Sequence, residues 1–183
     1  MAIIEPPQSE INSVITLFSN GQFQEALDIV ETLTKNFPAD PLLHNIMGAC
    51  YAGLGQLISA VNSYDMAIAI KPDYAKAHYN LGGAYHELSK FDESIKSYEN
   101  SLEFDPNYAE TYNNLGSVLK ECGQIKGAIN SYEKALLINP EYIEAYFSLG
   151  IIFHELGKLD EAVQSYQKAI ENNPNFSEAY NNL

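Results

Sequence analysis

Residues 109–142 read AETYNNLGSVLKECGQIKGAINSYEKALLINPEY, and the pattern of this 34-residue stretch recurs along the chain. Its most regular marker is a proline near the end of each unit, at Pro38, Pro72, Pro106, Pro140 and Pro174, always 34 residues apart. A fixed period of this length predicts a series of small repeated units, each too short to bury a core alone.

Other columns of the repeat also hold one kind of residue. Position 1 is defined as Ala109 in the quoted unit, and equivalent positions lie 34 residues apart. Glycine occupies position 8, at Gly48, Gly82, Gly116 and Gly150. Tyrosine occupies position 24, at Tyr64, Tyr98, Tyr132 and Tyr166. Positions 20 and 27 hold alanine or serine in these four units, which predicts close approach of neighbouring elements.

The columns have the spacing of two short amphipathic helices. At 100° per residue, positions 4, 7, 8 and 11 share one face of a first helix, and positions 20, 24 and 27 share one face of a second. Gly21, Gly55, Gly123 and Gly157 fall where the first helix should end in a left-handed residue. Ser89 replaces glycine there in one unit, which is expected to cost some stability. Each proline ends a second helix.

A unit reading aromatic-x2-Leu-Gly-x2-Tyr, then Ala-x3-aromatic-x2-Ala, then Pro resembles the tetratricopeptide repeat. The resemblance implies an all-α, right-handed superhelical solenoid of antiparallel helix pairs. The predicted organisation is an N-terminal tail (1–6), a degenerate capping repeat (7–40), repeats at 41–74, 75–108, 109–142 and 143–176, and the start of a truncated further repeat (177–183). Because no polar capping helix follows, the natural protein is expected to continue beyond Leu183.

Composition excludes some classes of partner. The net charge is −14, and the ten basic residues are all lysine, so nucleic acid is not an expected ligand. No stretch has the roughly 18 consecutive apolar residues that a membrane span needs. The first residues lack a secretory signal, so we expect a cytoplasmic protein. The use of lysine for every basic residue, together with the asparagine- and tyrosine-rich composition, favours a bacterial origin.

The sequence predicts no catalytic, cofactor or metal site. No nucleophile elbow, phosphate loop or dinucleotide fingerprint occurs. His44 and His78 fall in the core column at position 4, which predicts packing residues. Cys50 and Cys122 are too few for a disulfide framework and are predicted to be small buried thiols. We therefore predict that the chain is not an enzyme.

The resemblance implies that the first helix of each pair lines a concave groove. Positions 2, 5, 6, 9, 12 and 13 lie opposite the predicted core stripe of that helix. The residues predicted to bind a peptide there are Asn45, Lys76, Tyr79, Asn80, Gly83, Glu87, Glu110, Asn113, Asn114, Ser117, Glu121, Glu144, Phe147, Ser148 and Ile151.

Position 6 carries a partial ladder of asparagines, at Asn12, Asn80, Asn114 and Asn182, interrupted by Ile46 and Ser148. It resembles the asparagine ladder in the repeats of O-linked N-acetylglucosamine transferases, which implies amide contacts to the backbone of an extended peptide. The alternative is that asparagine is a common solvated residue at this position.

Acidic and apolar residues give two further hypotheses for the groove. Glutamates recur at position 13 (Glu87, Glu121 and Glu155) and at position 2 (Glu110, Glu144 and Glu178), which favours a ligand with lysine or arginine unless they form only a solvated face. Five apolar residues point away from the predicted core stripe and are expected to make no packing contact within their own helix pair: Tyr79, Phe147, Ile151, Leu42 and Ile46. They would then be anchors for a partner or be covered by neighbouring units.

The predicted function is that of a protein–protein interaction scaffold, which binds a peptide or a helical segment of a partner in the groove. One alternative is the N-terminal substrate-targeting region of a larger glycosyltransferase- or sulfotransferase-like enzyme. The other is a spacer or self-assembly scaffold that associates with itself through the open C-terminal end.

Overall fold

The computed structural model describes residues 6–183, which form α-helices joined by turns and contain no strand. A first compact unit, Met1–Phe104, contains α1 (Gln8–Ser19), α2 (Phe23–Asn36), α3 (Pro41–Gly53), α4 (Leu57–Ile70), α5 (Ala75–Glu87) and α6 (Phe91–Phe104). A second, Asp105–Leu183, contains α7 (Ala109–Glu121), α8 (Ile125–Ile138), α9 (Ile143–Glu155), α10 (Leu159–Asn172) and α11 (Ser177–Asn181). The predicted all-α helical-repeat fold is confirmed.

Every 34-residue interval from 7 to 176 contains one pair of helices. Within each compact unit, a first helix packs against its own second helix. Where a second helix of the same compact unit precedes it, the first helix packs against that one too. Thus α3 contacts both α2 and α4, and α9 contacts both α8 and α10. The assignment of 7–40 as a cap and of 177–183 as a truncated repeat stays a prediction. Apart from Pro6, the predicted tail lies outside the described residues.

The glycine at position 8 lets a tyrosine ring lie directly on the first helix. A Cβ atom added at Gly82 would come within 2.7 Å of the Tyr98 ring, and one at Gly150 within 2.4 Å of the Tyr166 ring. Both rings are almost fully buried. Glycine is therefore required here by the close approach of the two helices.

Serines in the small-residue columns of α6 form hydrogen bonds with α5. The Ser94 hydroxyl donates to the Gly82 carbonyl at 2.8 Å, and the Ser101 hydroxyl donates to the Ala75 carbonyl at 2.9 Å. Both serines are fully buried, so these bonds offset the cost of removing the hydroxyls from water. Serine and alanine consequently serve the same packing role in this column.

The first helices bury a wider arc than the predicted stripe. Position 3 is buried at Leu43, Ala77, Thr111 and Ala145, and position 10 is buried at Cys50, Ala84, Val118 and Ile152. Both columns lie outside the core stripe predicted from the sequence. For α3, α5 and α9, the reason is that the first helix packs against two second helices, so residues outside the stripe that faces its own partner are also removed from water.

The turn after each first helix has the predicted left-handed residue. Glycines at this position have φ between 71° and 74°, and Ser89 has φ 57°. The Ser89 N–H donates to the His86 carbonyl at 2.8 Å, and the Lys90 N–H donates to the Tyr85 carbonyl at 2.9 Å. These two bonds form a Schellman motif, which satisfies carbonyls at the helix end.

Replacing Ser89 by glycine is expected to stabilise the chain by about 0.5–1 kcal/mol. A left-handed conformation costs an L-residue about 1–2 kcal/mol, and glycine removes this cost. Part of the gain is lost because glycine gives the unfolded chain more conformational entropy. The measurement is the urea midpoint followed by circular dichroism. Gly55→Ser, the reverse change at the same repeat position, is the control and should destabilise. An unchanged or lower midpoint for Ser89→Gly would contradict the argument.

The two cysteines have different environments. Cys50 is fully buried in α3, and burial raises the pKa of its thiol to about 11. Cys122 is exposed and directly follows α7 as its C-cap residue. The prediction of two buried thiols is therefore wrong for Cys122, because its repeat position lies in the turn between the helices rather than on the packed face.

Candidate functional site

The residues predicted to bind a peptide lie on the first helices of the two compact units. The first inner face is the set Asn45, Lys76, Tyr79, Asn80, Gly83 and Glu87, on α3 and α5. The second inner face is the set Glu110, Asn113, Asn114, Ser117, Glu121, Glu144, Phe147, Ser148 and Ile151, on α7 and α9.

On the first inner face, two asparagines join neighbouring first helices. The Asn80 amide donates to the Asn45 side-chain oxygen at 2.9 Å. Asn45 is buried, whereas Asn80 is half-buried. The bond shows that the two side chains are adjacent on one surface. It also means that one N–H of the Asn80 amide is already bonded within the protein.

An aromatic cluster lies beside this asparagine pair. The Lys76 ammonium is 4.7 Å from the centroid of the Tyr79 ring, within the range of a cation–π contact. The Tyr79 ring is in turn 6.0 Å from the Tyr98 ring of α6. Gly83 is half-buried near these rings, and Glu87 is exposed. The first inner face therefore presents an aromatic surface with a lysine and a glutamate, Lys76 and Glu87, exposed on it.

The second inner face has its own amide pair and a charged pair. The Asn113 amide donates to the Asn114 side-chain oxygen at 3.3 Å. The Asn113 oxygen is buried and has no hydrogen-bond partner within residues 6–183. The Lys120 ammonium lies 3.7 Å from the Glu155 carboxylate, which places α7 and α9 side by side on this face. Glu110, Glu121 and Glu144 are exposed, as solvated or ligand-steering acids should be.

The apolar residues of the inner faces pack within their own helix pairs. The Phe147 ring is 5.9 Å from the Tyr166 ring of α10 and 4.9 Å from the Phe176 ring. Tyr79 packs on Tyr98 in the same manner. The prediction that these side chains make no packing contact in their own pair is therefore wrong for Tyr79 and Phe147, and also for Ile151, which packs on the cluster that contains Tyr166. Ile46 packs on a core cluster that includes residues of α1 and α2, and Leu42 is 37% exposed. The second helix extends under the inner face, and a wheel of the first helix does not include it.

Tyrosine hydroxyls from the second helices reach inner-face residues. The Tyr132 hydroxyl is hydrogen-bonded with Ser148 and Ser117, and the Tyr166 hydroxyl is hydrogen-bonded with Asn182. Burial raises the pKa of both tyrosines, and these hydrogen bonds oppose the rise. Sequence reasoning missed this role. The available signal was that glycine at position 8 occurs together with tyrosine at position 24 in four repeats, whereas residues 7–40 have valine at both positions, Val14 and Val30.

Two clefts, which we call the outer clefts, lie away from the inner faces at equivalent repeat positions. One, of about 300 Å³, is lined by His44, Met47, Tyr51, Ser59, Asn62, Ser63 and Met66. The other, of about 450 Å³, is lined by Tyr146, Leu149, Phe153, Glu161, Gln164, Ser165, Gln167, Lys168 and Glu171. Each lies between the helices of one pair, so the repeat also forms clefts that were not predicted from the sequence.

The histidines at position 4 are buried, as predicted. The Nε2 atoms of His44 and His78 lie 2.9 Å from the carbonyls of Pro38 and Pro72. Within residues 6–183, no group of three or more His, Cys, Asp or Glu side chains is arranged to hold a metal ion. In the same part of the chain, no helix is both long enough and apolar enough to span a membrane.

Several proteins of known structure share this fold. A crystal structure of MamA is 27% identical, with a TM-score of 0.80, and the match covers 89% of this chain and 95% of that one. YrrB, described as a TPR protein with an unusual peptide-binding site, is 17% identical, with a TM-score of 0.75 over 94% of this chain and 89% of its own. At that identity, the likeness to YrrB shows the fold alone.

Among curated proteins, the peroxisomal targeting signal receptor of Kluyveromyces lactis is 30% identical over 74 residues. The match covers 40% of this chain and 13% of the receptor. The chain thus spans about an eighth of the length of the curated relatives that it matches.

Models of the repeat itself match most of the chain. The TPR repeat model matches residues 48–89, 83–121 and 116–157, and the tetratricopeptide repeat model matches residues 143–176. These segments contain the glycine and tyrosine columns whose close packing is described above. The chain therefore belongs to the tetratricopeptide repeat family.

Proposed function

We propose that this chain is a protein-interaction scaffold whose inner faces bind an extended or helical segment of a partner protein. The observation that carries the proposal is the alignment of amides on neighbouring first helices, seen in the Asn80–Asn45 hydrogen bond. A side-chain amide both donates and accepts, so it matches the two polar groups of a peptide unit. Half-buried Tyr79, Phe147 and Ile151 add apolar area beside the amides.

The relatives support a binding role without specifying the partner. YrrB is described as having a peptide-binding site, and the matched curated proteins are receptors for a targeting signal. The proposal includes no catalytic step. Four statements stay predictions: that the chain does not bind nucleic acid, that it associates with itself through its C-terminal end, that it is cytoplasmic, and that it is bacterial.

Selection of peptides on the immobilised chain tests the proposal without knowledge of the natural partner. A phage-displayed library of random peptides should yield a related set of sequences that bind the chain. The inner-face variant Asn80→Ala with Asn114→Ala should bind these peptides about tenfold more weakly, since each lost hydrogen bond is worth about 0.5–1.5 kcal/mol. Affinity is measured by fluorescence polarisation, and folding by circular dichroism.

The control is a matched pair of asparagines on the second helices, Asn62 and Asn130, which occupy the same repeat position and are exposed. Their replacement by alanine should leave affinity unchanged. Failure to enrich any sequence would count against a peptide-binding role. If the control variant lost affinity and the inner-face variant did not, the binding surface would instead be the outer clefts, one of which Asn62 lines.

A further inference from the structure

A cavity of about 500 Å³ opens between α9 and α11 of the second unit. It is lined by Ile151, His154, Glu155, Tyr166, Asn181 and Asn182. Ile151 belongs to the second inner face, and Glu155 and Asn182 occupy repeat positions that the sequence places in the groove. The volume is within the range of pockets that hold a small ligand or a long side chain.

The walls of this cavity divide into apolar and polar parts. Ile151 is the aliphatic residue of the lining, whereas Tyr166 is 2% exposed and adds little surface. The Glu155 carboxylate and the side-chain amides of Asn181 and Asn182 supply hydrogen-bond acceptors. A side chain with an apolar stem and a cationic head matches both parts, because its stem packs on the first and its head bonds to the second.

The electrostatics of the cavity favour a cation. Glu155 is the carboxylate among the lining residues. Burial raises the pKa of the Tyr166 hydroxyl, and the charge of Glu155 raises it further while the Asn182 hydrogen bond opposes the rise. The Glu155 field therefore extends into the cavity. The chain as a whole has a net charge of −14, which attracts cations and repels anions.

Lys120 neutralises Glu155 only in part. Its ammonium is 3.7 Å from the carboxylate oxygen, beyond ordinary hydrogen-bond length, and the Glu155 side chain is 55% exposed. A guanidinium donates through a planar fork and forms paired hydrogen bonds with a carboxylate, which an ammonium cannot do. An arginine in the cavity would therefore compete well with this lysine.

We propose that this cavity binds an arginine side chain of the partner segment, with Glu155 as the principal contact. The proposal rests on the proposed function, because it treats the cavity as a specificity pocket for a segment bound at the second inner face. Recognition would then combine backbone contacts along the first helices with one charged side chain at this position.

The test uses a minimal probe, acetyl-arginine-methylamide, titrated into the full chain and followed by two-dimensional NMR. Saturable shift changes are expected at Ile151, Asn181 and Asn182. Acetyl-citrulline-methylamide, which has nearly the same shape and no charge, should bind at least tenfold more weakly. Added salt should weaken binding of the arginine probe more than binding of the citrulline probe, because the attraction is screened.

Three variants make the assignment local. Glu155→Gln should weaken the arginine probe at least tenfold, whereas Lys120→Gln should tighten it severalfold by removing the competing cation. Glu133→Gln makes the same charge change at an exposed residue of α8, outside the inner faces and the outer clefts, and should have no effect. All three side chains are at least partly exposed, so folding should be retained.

Equal binding of the citrulline probe, shift changes spread over many acidic residues, or equal effects of Glu155→Gln and Glu133→Gln would each overturn the proposal. The proposal would also be overturned if library peptides bound the inner faces and Glu155→Gln did not weaken those that contain arginine. The proposed function would then stand. Failure of all library peptides to bind, with a specific arginine site still present, would count against the proposed function alone.

Discussion

Replacing Gly82 by alanine is expected to destabilise the first unit by about 1–3 kcal/mol, the usual cost of overpacking a close-packed site. The new methyl group would lie 2.7 Å from ring atoms of Tyr98, a distance that real Cβ atoms essentially never show. The ring is 1% exposed, so it has little room to move away. The measurement is the urea midpoint followed by circular dichroism.

Gly83 provides a control one residue away in the same helix. A Cβ atom there would have only the Tyr98 hydroxyl oxygen nearby, at 3.7 Å, which is an ordinary contact. Gly83→Ala should stabilise the chain by about 0.5–1 kcal/mol, because alanine loses less backbone entropy in a helix. Two neighbouring glycine-to-alanine changes should thus have opposite signs. A shared sign would show that helix propensity, rather than contact with the tyrosine ring, decides the outcome.

Replacing Ile152 by alanine is expected to cost about 2–5 kcal/mol, as for other large-to-small changes in a core. Ile152 is 0% exposed and belongs to the buried column at position 10 that sequence reasoning omitted. The loss should appear as a lower thermal midpoint and a lower urea midpoint.

The adjacent Ile151→Ala separates stability from binding. Ile151 is half-buried and lines the cavity between α9 and α11. Because less of its surface is removed from water, its truncation should cost only about 1 kcal/mol. It should nevertheless weaken the arginine probe, whose stem would lose an apolar wall. A larger loss of stability for Ile151→Ala than for Ile152→Ala would contradict the observed burial.

Much of the fold was predictable because its main constraints are local. Glycine or serine at the left-handed turn position and proline after each second helix act within a few residues of where they stand, so the sequence alone locates the helices. Ser89 illustrates this: it was identified as the exception among the glycines, and it has a positive φ. The tyrosines at position 24 were likewise predicted to be core residues, and they are buried.

The remaining features depend on contacts between elements. A helical wheel of α9 indicates that Phe147 points away from one stripe, but it does not show that the Tyr166 ring and Phe176 lie beneath it. It also assigns a single packed side to a helix that lies between two others, which is why Ile152 was omitted. The hydroxyl contacts of Tyr132 and the cavity near Glu155 arise in the same way, from side chains on different helices.

The contrast between Cys50 and Cys122 makes the natural chain suitable for site-specific labelling. With a pKa of about 11, the Cys50 thiol is almost entirely protonated near neutrality, and it is shielded from reagents by the core. A maleimide dye should therefore attach at Cys122 alone. A single fluorophore in the second unit would follow local opening of the helix pair formed by α7 and α8, without any engineered cysteine.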